Sequence, residues 1–247
     1  VTDTPLDGRV AVVTGASRGI GYAAALGLAK AGAHVIATAR TEGGLTDLDD
    51  AIRAATGKSA TLVPLDLKDG SGIDTLGAAI FERWGRLDIL VSNAGELGLI
   101  TPTAQLEPRT WDRTIAINLT ANYRLIRSFD PLFRRAEAAR AIFVTTGLVP
   151  RPRAFWGAYA ASKAGLEALV RVYADETEHT KIRPLLLDPG PVRTRMRATA
   201  FPGEDPDTLP PPDALAPLFV ELARSDVEPA QMRVSFREWA AAGGRTS

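Results

Sequence analysis

Apolar residues in this chain fall into short runs, separated by longer stretches in which apolar positions recur at helical spacing. Runs at 10–13, 34–38, 60–64, 87–91, 141–145 and 182–187 are rich in Val, Ile and Leu and do not alternate with polar residues. Strands buried on both faces have this character, because neither side meets water. The stretches 19–31, 45–55, 72–84, 108–135 and 155–178 read as helices, and Gly32 and Gly57 stand where helix C-terminal glycines belong. Strand and helix in alternation predict an α/β fold, a doubly wound parallel β-sheet with helices on both faces. No repeat or linker divides the 247 residues. One domain over 1–247 is therefore expected, and a chain of this length can bury a sizeable core.

The rhythm breaks at 189–212, a proline-rich stretch with little periodicity, before a further helix at 213–224 and a short strand near 233–236. Such an insert is either a substrate-binding lid or a plain surface loop. Lys+Arg 29 equals Asp+Glu 29, so no overall field draws the chain to nucleic acid or an anionic membrane. The absence of Cys removes disulfides, thiolate catalysis and zinc–thiolate sites, and is compatible with a reducing cytosol. His34 and His179 are isolated and read as surface or strand-end residues rather than metal ligands. The apolar stretch 23–39 is interrupted by Lys30, Gly32 and His34, short of the ~20 unbroken apolar residues of a membrane span. The polar stretch 1–9 does not have the form of a signal peptide, although the first residue is not Met. The expectation is a cytoplasmic protein with no metal, no membrane and no nucleic-acid partner.

Two segments carry candidate chemistry. The first strand runs into Thr14-Gly15-Ala16-Ser17-Arg18-Gly19-Ile20-Gly21 and then a helix. Gly15 permits a tight turn, Gly19 lets the backbone approach a pyrophosphate, and Gly21 lets helix and strand pack closely. The helix N-terminus presents unpaired N–H groups and a partial positive charge to phosphates. Farther on, Tyr159 and Lys163 stand four apart in a helical stretch, which stacks phenol and ammonium on one face. A tyrosine ionises near pH 10 in isolation, and a fixed cation beside it favours the phenolate, which makes it a general acid/base candidate. The same spacing also occurs on ordinary solvated helices.

Taken in order, these motifs resemble the short-chain dehydrogenase/reductase family. The glycine loop is similar to its Thr-Gly-x3-Gly-x-Gly motif, and Asn93-Ala94-Gly95 follows the fourth strand as the family's Asn-Ala-Gly does. Asn118 falls in the next long helix, and Tyr159 and Lys163 match Tyr-x3-Lys. Thr146 occupies the serine position thirteen residues before Tyr159, and Pro189-Gly190 and Thr194 match the element after the sixth strand. The likeness spans residues 6–236, and Trp156-Gly157-Ala158-Tyr159 together with residues 196–202 resembles a poorly characterised bacterial subgroup. It implies a Rossmann-type fold, a small-molecule carbonyl or alcohol substrate and a homodimer or homotetramer.

The resemblance also implies roles. Tyr159 is the general acid/base, Lys163 lowers its pKa and bonds the nicotinamide ribose, and Asn118 holds a water that links Lys163 to solvent; Asn118 otherwise caps or kinks its helix. Thr146 keeps the hydroxyl that would polarise a carbonyl but adds a methyl that stiffens and crowds the site, with Thr145 as the alternative donor. Gly15, Ser17, Gly19, Ile20 and Gly21 belong to the cofactor-binding loop, Asp66 and Leu67 flank the adenine, and Asn93, Ala94 and Gly95 line the ribose region. Pro189, Gly190, Val192 and Thr194 complete the cofactor site. Asp66 reads equally as a helix cap. Where a carboxylate would select NAD, the chain has Arg40, with Arg18 inside the glycine loop. Two guanidiniums suit a 2′-phosphate, so NADP(H) is expected over NAD(H).

At the substrate end, Arg151, Arg153, Arg193, Arg195 and Arg197 either form a basic mouth or are solvated charges paired with Glu204, Asp205 and Asp207. Leu97, Leu99, Phe155 and Trp156 either wall the site or pack between subunits. The overall expectation is an NADP(H)-dependent oxidoreductase interconverting a carbonyl and a secondary alcohol. The alternative is an NADP(H)-binding sensor with little or no turnover.

Overall fold

The computed structural model describes residues 4–229 and 231–244. The strands are β1 (Val10–Thr14), β2 (His34–Ala39), β3 (Thr61–Pro64), β4 (Ile89–Ser92), β5 (Ala139–Val144), β6 (Ile182–Asp188) and β7 (Arg233–Ser235). They form one sheet in the order β3-β2-β1-β4-β5-β6-β7, with every neighbouring pair parallel. The helices are α1 (Gly19–Lys30), α2 (Glu42–Thr56), α3 (Gly70–Trp84), α4 (Pro108–Ile115), α5 (Ala121–Phe133), α6 (Gly157–Glu176), α7 (Arg195–Ala200), α8 (Ala216–Ala223) and α9 (Phe236–Ala241). The Rossmann-like architecture is the one expected, with element ends displaced by a few residues.

The unbroken apolar runs are explained by the two faces of the sheet. Along β1, Ala11 and Val13 join the layer containing α1, α2 and α8, while Val10 and Val12 join the layer containing α3, α5 and α6. Successive strand residues point to opposite faces, and here both faces are covered. Phe129 and Phe143 in one layer and Phe219 in the other are fully buried, each worth about 1.5–3 kcal/mol relative to exposure. Gly57 ends α2 at φ 71°, a left-handed conformation that a residue with Cβ adopts only at a cost.

Three expectations on elements are corrected. The predicted continuous helix 108–135 is three pieces, α4, a π-helical turn at Ala116–Thr120 and α5. The extra residue in that turn re-aims Asn118, and π-turns of this kind are frequent at functional sites. The stretch 189–212 is not wholly irregular, because it contains α7 and a short 3₁₀ turn at Pro206–Thr208. Thr194 starts α7 by accepting a bond from Arg197 N at 3.2 Å. The helix expected at 213–224 opens as a 3₁₀ turn, Pro212–Leu215, before α8.

Strand order reverses between β1 and β4. In such sheets the loops leaving the carboxyl ends diverge to either face at this point and open a crevice. The loops after Thr14, Ser92, Val144 and Asp188 all border it.

Candidate active site

The crevice is a cleft of about 1380 Å³. Its lining gathers Gly15, Ser17, Arg18, Gly19, Ile20, Arg40, Asp66, Leu67, Asn93, Ala94, Gly95, Thr146, Tyr159, Lys163, Pro189, Gly190, Val192 and Thr194. Residues scattered over the sequence thus meet in one place. Gly21 and Asn118 stand behind this surface and shape it.

The glycine loop is stitched to the loop after β4. Thr14 Oγ1 accepts from Asn93 N and Ala94 N, both at 3.0 Å, and Asn93 Nδ2 donates to Thr14 O at 3.0 Å. Gly15 takes φ 66°. A Cβ on Gly21 would lie 2.3 Å from Gly15 O and 2.4 Å from Asn93 Nδ2, so only glycine lets this turn close. The N-cap of α1, Arg18, makes no side-chain capping bond, leaving the first N–H groups of the helix facing the cleft. Arg18 and Arg40 are exposed, with no ion-pair partner among the described residues. Thr38 Oγ1 is buried at the cleft without a hydrogen-bond partner among them.

Asp66 is not a helix cap. Its carboxylate accepts from Lys68 N at 3.0 Å and pairs with Lys68 Nζ at 3.4 Å. Asp69 caps α3 instead, taking bonds from Gly72 N at 3.1 Å and Ser71 Oγ at 2.7 Å. The bond from Ser71 and then that from Gly72 hold the Asp69 carboxyl below its ordinary pKa. Asp66 and Leu67 remain on the wall of the cleft.

Asn118 neither caps a helix nor points to solvent. It is fully buried in the π-turn. Its Oδ1 accepts from Glu96 N at 2.8 Å, and its Nδ2 donates to Glu96 O at 2.8 Å and Ser162 Oγ at 3.0 Å. Ser162 Oγ in turn donates to Tyr159 O at 2.8 Å. Asn118 therefore ties the loop after β4 to the first turns of α6, which carry Tyr159 and Lys163. Glu96 itself pairs with Arg113 on α4.

Tyr159 and Lys163 share the cleft-facing side of α6, as the four-residue spacing requires. The expected lowering of the Tyr159 pKa is not what the geometry gives. The pKa is pushed up to about 12, by burial first and by the Asp188 carboxylate second, with a hydrogen bond to the Thr146 side chain as the opposing influence. Desolvation of the phenolate outweighs any help from Lys163. The ammonium is itself fully enclosed, donates to Val144 O at 2.7 Å, and is lowered by burial to about 8. Both groups are shifted toward their neutral forms, for the same reason.

The two threonines separate cleanly. Thr145 is 2% exposed and donates to Glu167 Oε1 at 2.8 Å, so its hydroxyl is engaged in the interior. Thr146 is the hydroxyl beside Tyr159. Sequence reasoning missed Glu96, Ser162, Glu167, Asp188 and Arg233. Glu167 follows Lys163 by four residues, so a carboxylate on the inward face of the same helix was a legible signal. Asp188, immediately before Pro189-Gly190, was another. Arg233 had none, since only the pairing of β6 with β7 brings it in.

At the open end, Trp156 packs its ring 5.9 Å from that of Tyr159 and 5.7 Å from that of Phe201. Arg197 lies 3.8 Å over the Phe201 ring and forks onto Glu204 with two bonds of 2.6 Å. Arg193 pairs with Asp207 at 2.8 Å. Two of the five arginines of the basic cluster are thus internally neutralised, while Arg151, Arg153 and Arg195 have no ion-pair partner among the described residues. Of the expected apolar wall, Leu97 and Trp156 line the cleft; Leu99 and Phe155 do not. Phe155 instead holds φ 75°, an uncommon conformation for an aromatic residue. His34 begins β2, with its ring 5.1 Å from Trp84, and His179 is exposed. No helix among the described residues is long and apolar enough to cross a membrane.

Comparison with known proteins agrees with this geometry. The short chain dehydrogenase family profile matches residues 9–205. The uncharacterized oxidoreductase YciK of Escherichia coli K12 is 36% identical over 223 residues, covering 90% of this chain and 88% of its own. A short chain dehydrogenase from Shigella flexneri 2a strain 301, solved in complex with NADP, superposes with TM-score 0.90 at 34% identity, over 96% of this chain and 100% of that one. Another from Escherichia coli CFT073, complexed with NADPH, gives TM-score 0.86 at 36% identity, over 91% and 93%.

Proposed function

The chain belongs to the short chain dehydrogenase family, and from that premise we propose that it is an NADP(H)-dependent oxidoreductase interconverting a carbonyl and a secondary alcohol. The observation that carries this reading is the convergence of Tyr159, Thr146 and Lys163 on the cleft that the glycine loop borders. When bound, the nicotinamide supplies or accepts the hydride. The chain's own residues do the rest.

The residues present fit such a cofactor. The loop between Gly15 and Gly21 is closed to any Cβ at Gly21 and opens the N-terminus of α1 toward a pyrophosphate. Arg18 and Arg40, which have no ion-pair partner among the described residues, suit a 2′-phosphate. The two solved relatives whose complexes contain NADP and NADPH support the same preference. Asp66 and Leu67 would border the adenine, Asn93, Ala94 and Gly95 the adjoining ribose, and Lys163 the nicotinamide ribose. Pro189, Gly190, Val192 and Thr194 would close the far side.

In the reducing direction Tyr159 gives its proton to the carbonyl oxygen, and the Thr146 hydroxyl donates to the same oxygen and orients it. A phenol whose pKa is pushed up to about 12 carries that proton throughout the neutral range. Lys163 beside it stabilises the phenolate that is left. Residues 189–212 act as a lid, with the Phe201 ring against Trp156 above the tyrosine.

The test is Tyr159→Phe, assayed against a panel of ketones, quinones and acyl thioesters by NADPH absorbance, with NADPH affinity measured separately. Turnover should fall at least about 100-fold with binding retained. Undiminished turnover in the variant would refute the role of Tyr159. A panel silent with the unmodified protein, alongside tight NADPH binding, would favour a sensor.

A further inference from the structure

Behind the catalytic residues lies a charge network that the proposed mechanism does not use. Glu167, on α6 one turn beyond Lys163, is 1% exposed on its side chain. It accepts from Thr145 Oγ1 at 2.8 Å, from Arg171 at 2.6 Å and from Arg233 Nε at 3.2 Å. Arg233, on β7, turns its other arm to the active site. Its Nη2 donates to Thr146 O at 3.1 Å and to Asp188 Oδ2 at 3.0 Å. Asp188, at the end of β6, accepts from Gly190 N at 3.0 Å through Oδ1. Its Oδ2 would lie 3.3 Å from a Cβ on Gly147, so the carboxylate stands beside the loop that carries Thr146. One guanidinium thus joins the catalytic helix, the Thr146 backbone and the loop leading to Pro189-Gly190.

We propose that Arg233 and Asp188 are a positioning pair for the reaction proposed above: Arg233 fixes the Thr146 backbone and holds Asp188 in place, and the Asp188 charge sets the pH range in which Tyr159 exchanges its proton. The inference rests on that reading for its catalytic meaning. Its geometric basis is that Asp188, Arg233, Thr146 and Tyr159 line one cleft and that Arg233 bonds both Asp188 and the Thr146 backbone. A carboxylate near a phenol penalises the phenolate, and a guanidinium on that carboxylate limits the penalty. The direction found for Tyr159, raised first by burial and then by Asp188, agrees. Other charged groups lining the same cleft include Lys163 on the helix of Tyr159, Glu96 with Arg113, Arg151 and Arg153 before α6, and Arg193, Arg195 and Arg197 around α7. Glu96 and Arg197 are paired, as Asp188 is with Arg233, and Asp188 is the carboxylate that acts on the phenol.

The experiment reads Tyr159 directly. Its ionisation is followed by tyrosinate ultraviolet difference spectra in stopped-flow pH jumps, with the Tyr159→Phe signal subtracted. In Asp188→Asn, which is isosteric and keeps the acceptor for Gly190 N, ionisation should move to lower pH by about one unit. Arg233→Met should move it to higher pH. Arg233→Lys keeps a cation beside Asp188 but cannot bond Glu167, Thr146 and Asp188 at once. It should leave the titration close to that of the unmodified protein while lowering kcat more than it alters KM. If the primary reading holds, the acidic limb of alcohol oxidation, which requires phenolate, follows the same shifts. An Asp188→Asn titration indistinguishable from the unmodified protein would overturn the inference, whether or not turnover is detected. So would equal shifts of one sign in all three variants, which would mark general loosening. Absence of turnover with the expected titration shifts would sink the enzymatic reading and leave the electrostatic one standing.

Discussion

Replacing Asn118 with Ala removes the clasp between the loop after β4 and α6. Three hydrogen bonds are lost, and the N–H and C=O of Glu96 are left facing a gap where no other described residue replaces them. Ser162 keeps its bond to Tyr159 O, so its hydroxyl is not orphaned. Each unsatisfied buried backbone group costs about 1–3 kcal/mol, and water entering the vacated volume recovers part of that. A net loss of about 2–4 kcal/mol is the outcome expected. For a chain of this size about 1 kcal/mol moves Tm by about 2–4 °C, so the melting temperature should fall by roughly 5–15 °C. Asn118→Asp sharpens the test. One carboxylate oxygen still accepts from Glu96 N, but the other confronts Glu96 O, which only a protonated acid can satisfy. Its folded pKa is therefore raised above the unfolded value of about 3.9. Below that value the acid is protonated in both states, and stability is lost as pH rises past it. The stability deficit of the Asp variant, measured by urea denaturation, should widen from pH 4 to pH 7, while that of the Ala variant stays flat. A Tm unchanged in Asn118→Ala, or an Asp deficit independent of pH, would refute the account of Asn118 as a buried two-way clasp.

Three further outcomes follow from the site. Gly21→Ala forces a Cβ to within 2.3 Å of Gly15 O; overpacking of this kind costs about 1–3 kcal/mol, and NADPH affinity, read by fluorescence titration, should fall with stability. A variant that binds NADPH as before would show that the loop does not cradle the phosphates. Arg40→Asp places a carboxylate at the end of β2, and the ratio of NADPH to NADH affinity should drop at least tenfold, in keeping with the loss of a charge-assisted bond worth about 1.5–3 kcal/mol; an unchanged ratio would remove Arg40 from cofactor selection. Thr146→Ser keeps the hydroxyl beside Tyr159 and removes only the methyl, so kcat should hold or rise and bulkier ketones should gain most in kcat/KM. A large loss of kcat would mean that the stiff χ1 of threonine is itself needed to aim the donor.

The parts of the fold written locally were legible in the sequence. Strands such as Val10–Thr14 and Ala139–Val144, buried throughout, declare themselves by composition, and Gly57 ends its helix by a rule that involves only its neighbours. The break at Ala116–Thr120 was not legible. Nothing in Ala-Ile-Asn-Leu-Thr forbids an ordinary helix, and the π-turn is held by partners, Glu96 and Ser162, that are distant in sequence. Asp66 and Asp69 show the same limit on a smaller scale. Either carboxylate could cap the helix by composition, and backbone placement gave the role to Asp69.

Within the site, spacing brought Tyr159 and Lys163 to one face of α6, but it could not set their ionisation. That depends on how much solvent the neighbouring loops exclude, and on Asp188, which arrives from another strand. Four residues of separation argue for a lowered phenol pKa, whereas enclosure of both groups argues for a raised phenol and a lowered amine. Enclosure wins here because desolvation acts on each group at once, and it weakens the very cation that was to help: an ammonium brought to about 8 is fully charged only below that pH. The pair therefore rests with the proton on the phenol, the form that would give a proton in the carbonyl reduction proposed above, although the raised pKa makes it a weaker acid than an ordinary tyrosine. Alcohol oxidation requires the opposite state, and the groups able to favour it are Thr146, through its bond to the phenol, and Arg233, through its grip on Asp188. Neither is part of the Tyr-x3-Lys motif. In the reaction proposed above, the pH dependence of each direction would thus rest on residues that the sheet brings together at the ends of β5 and β6 and on β7.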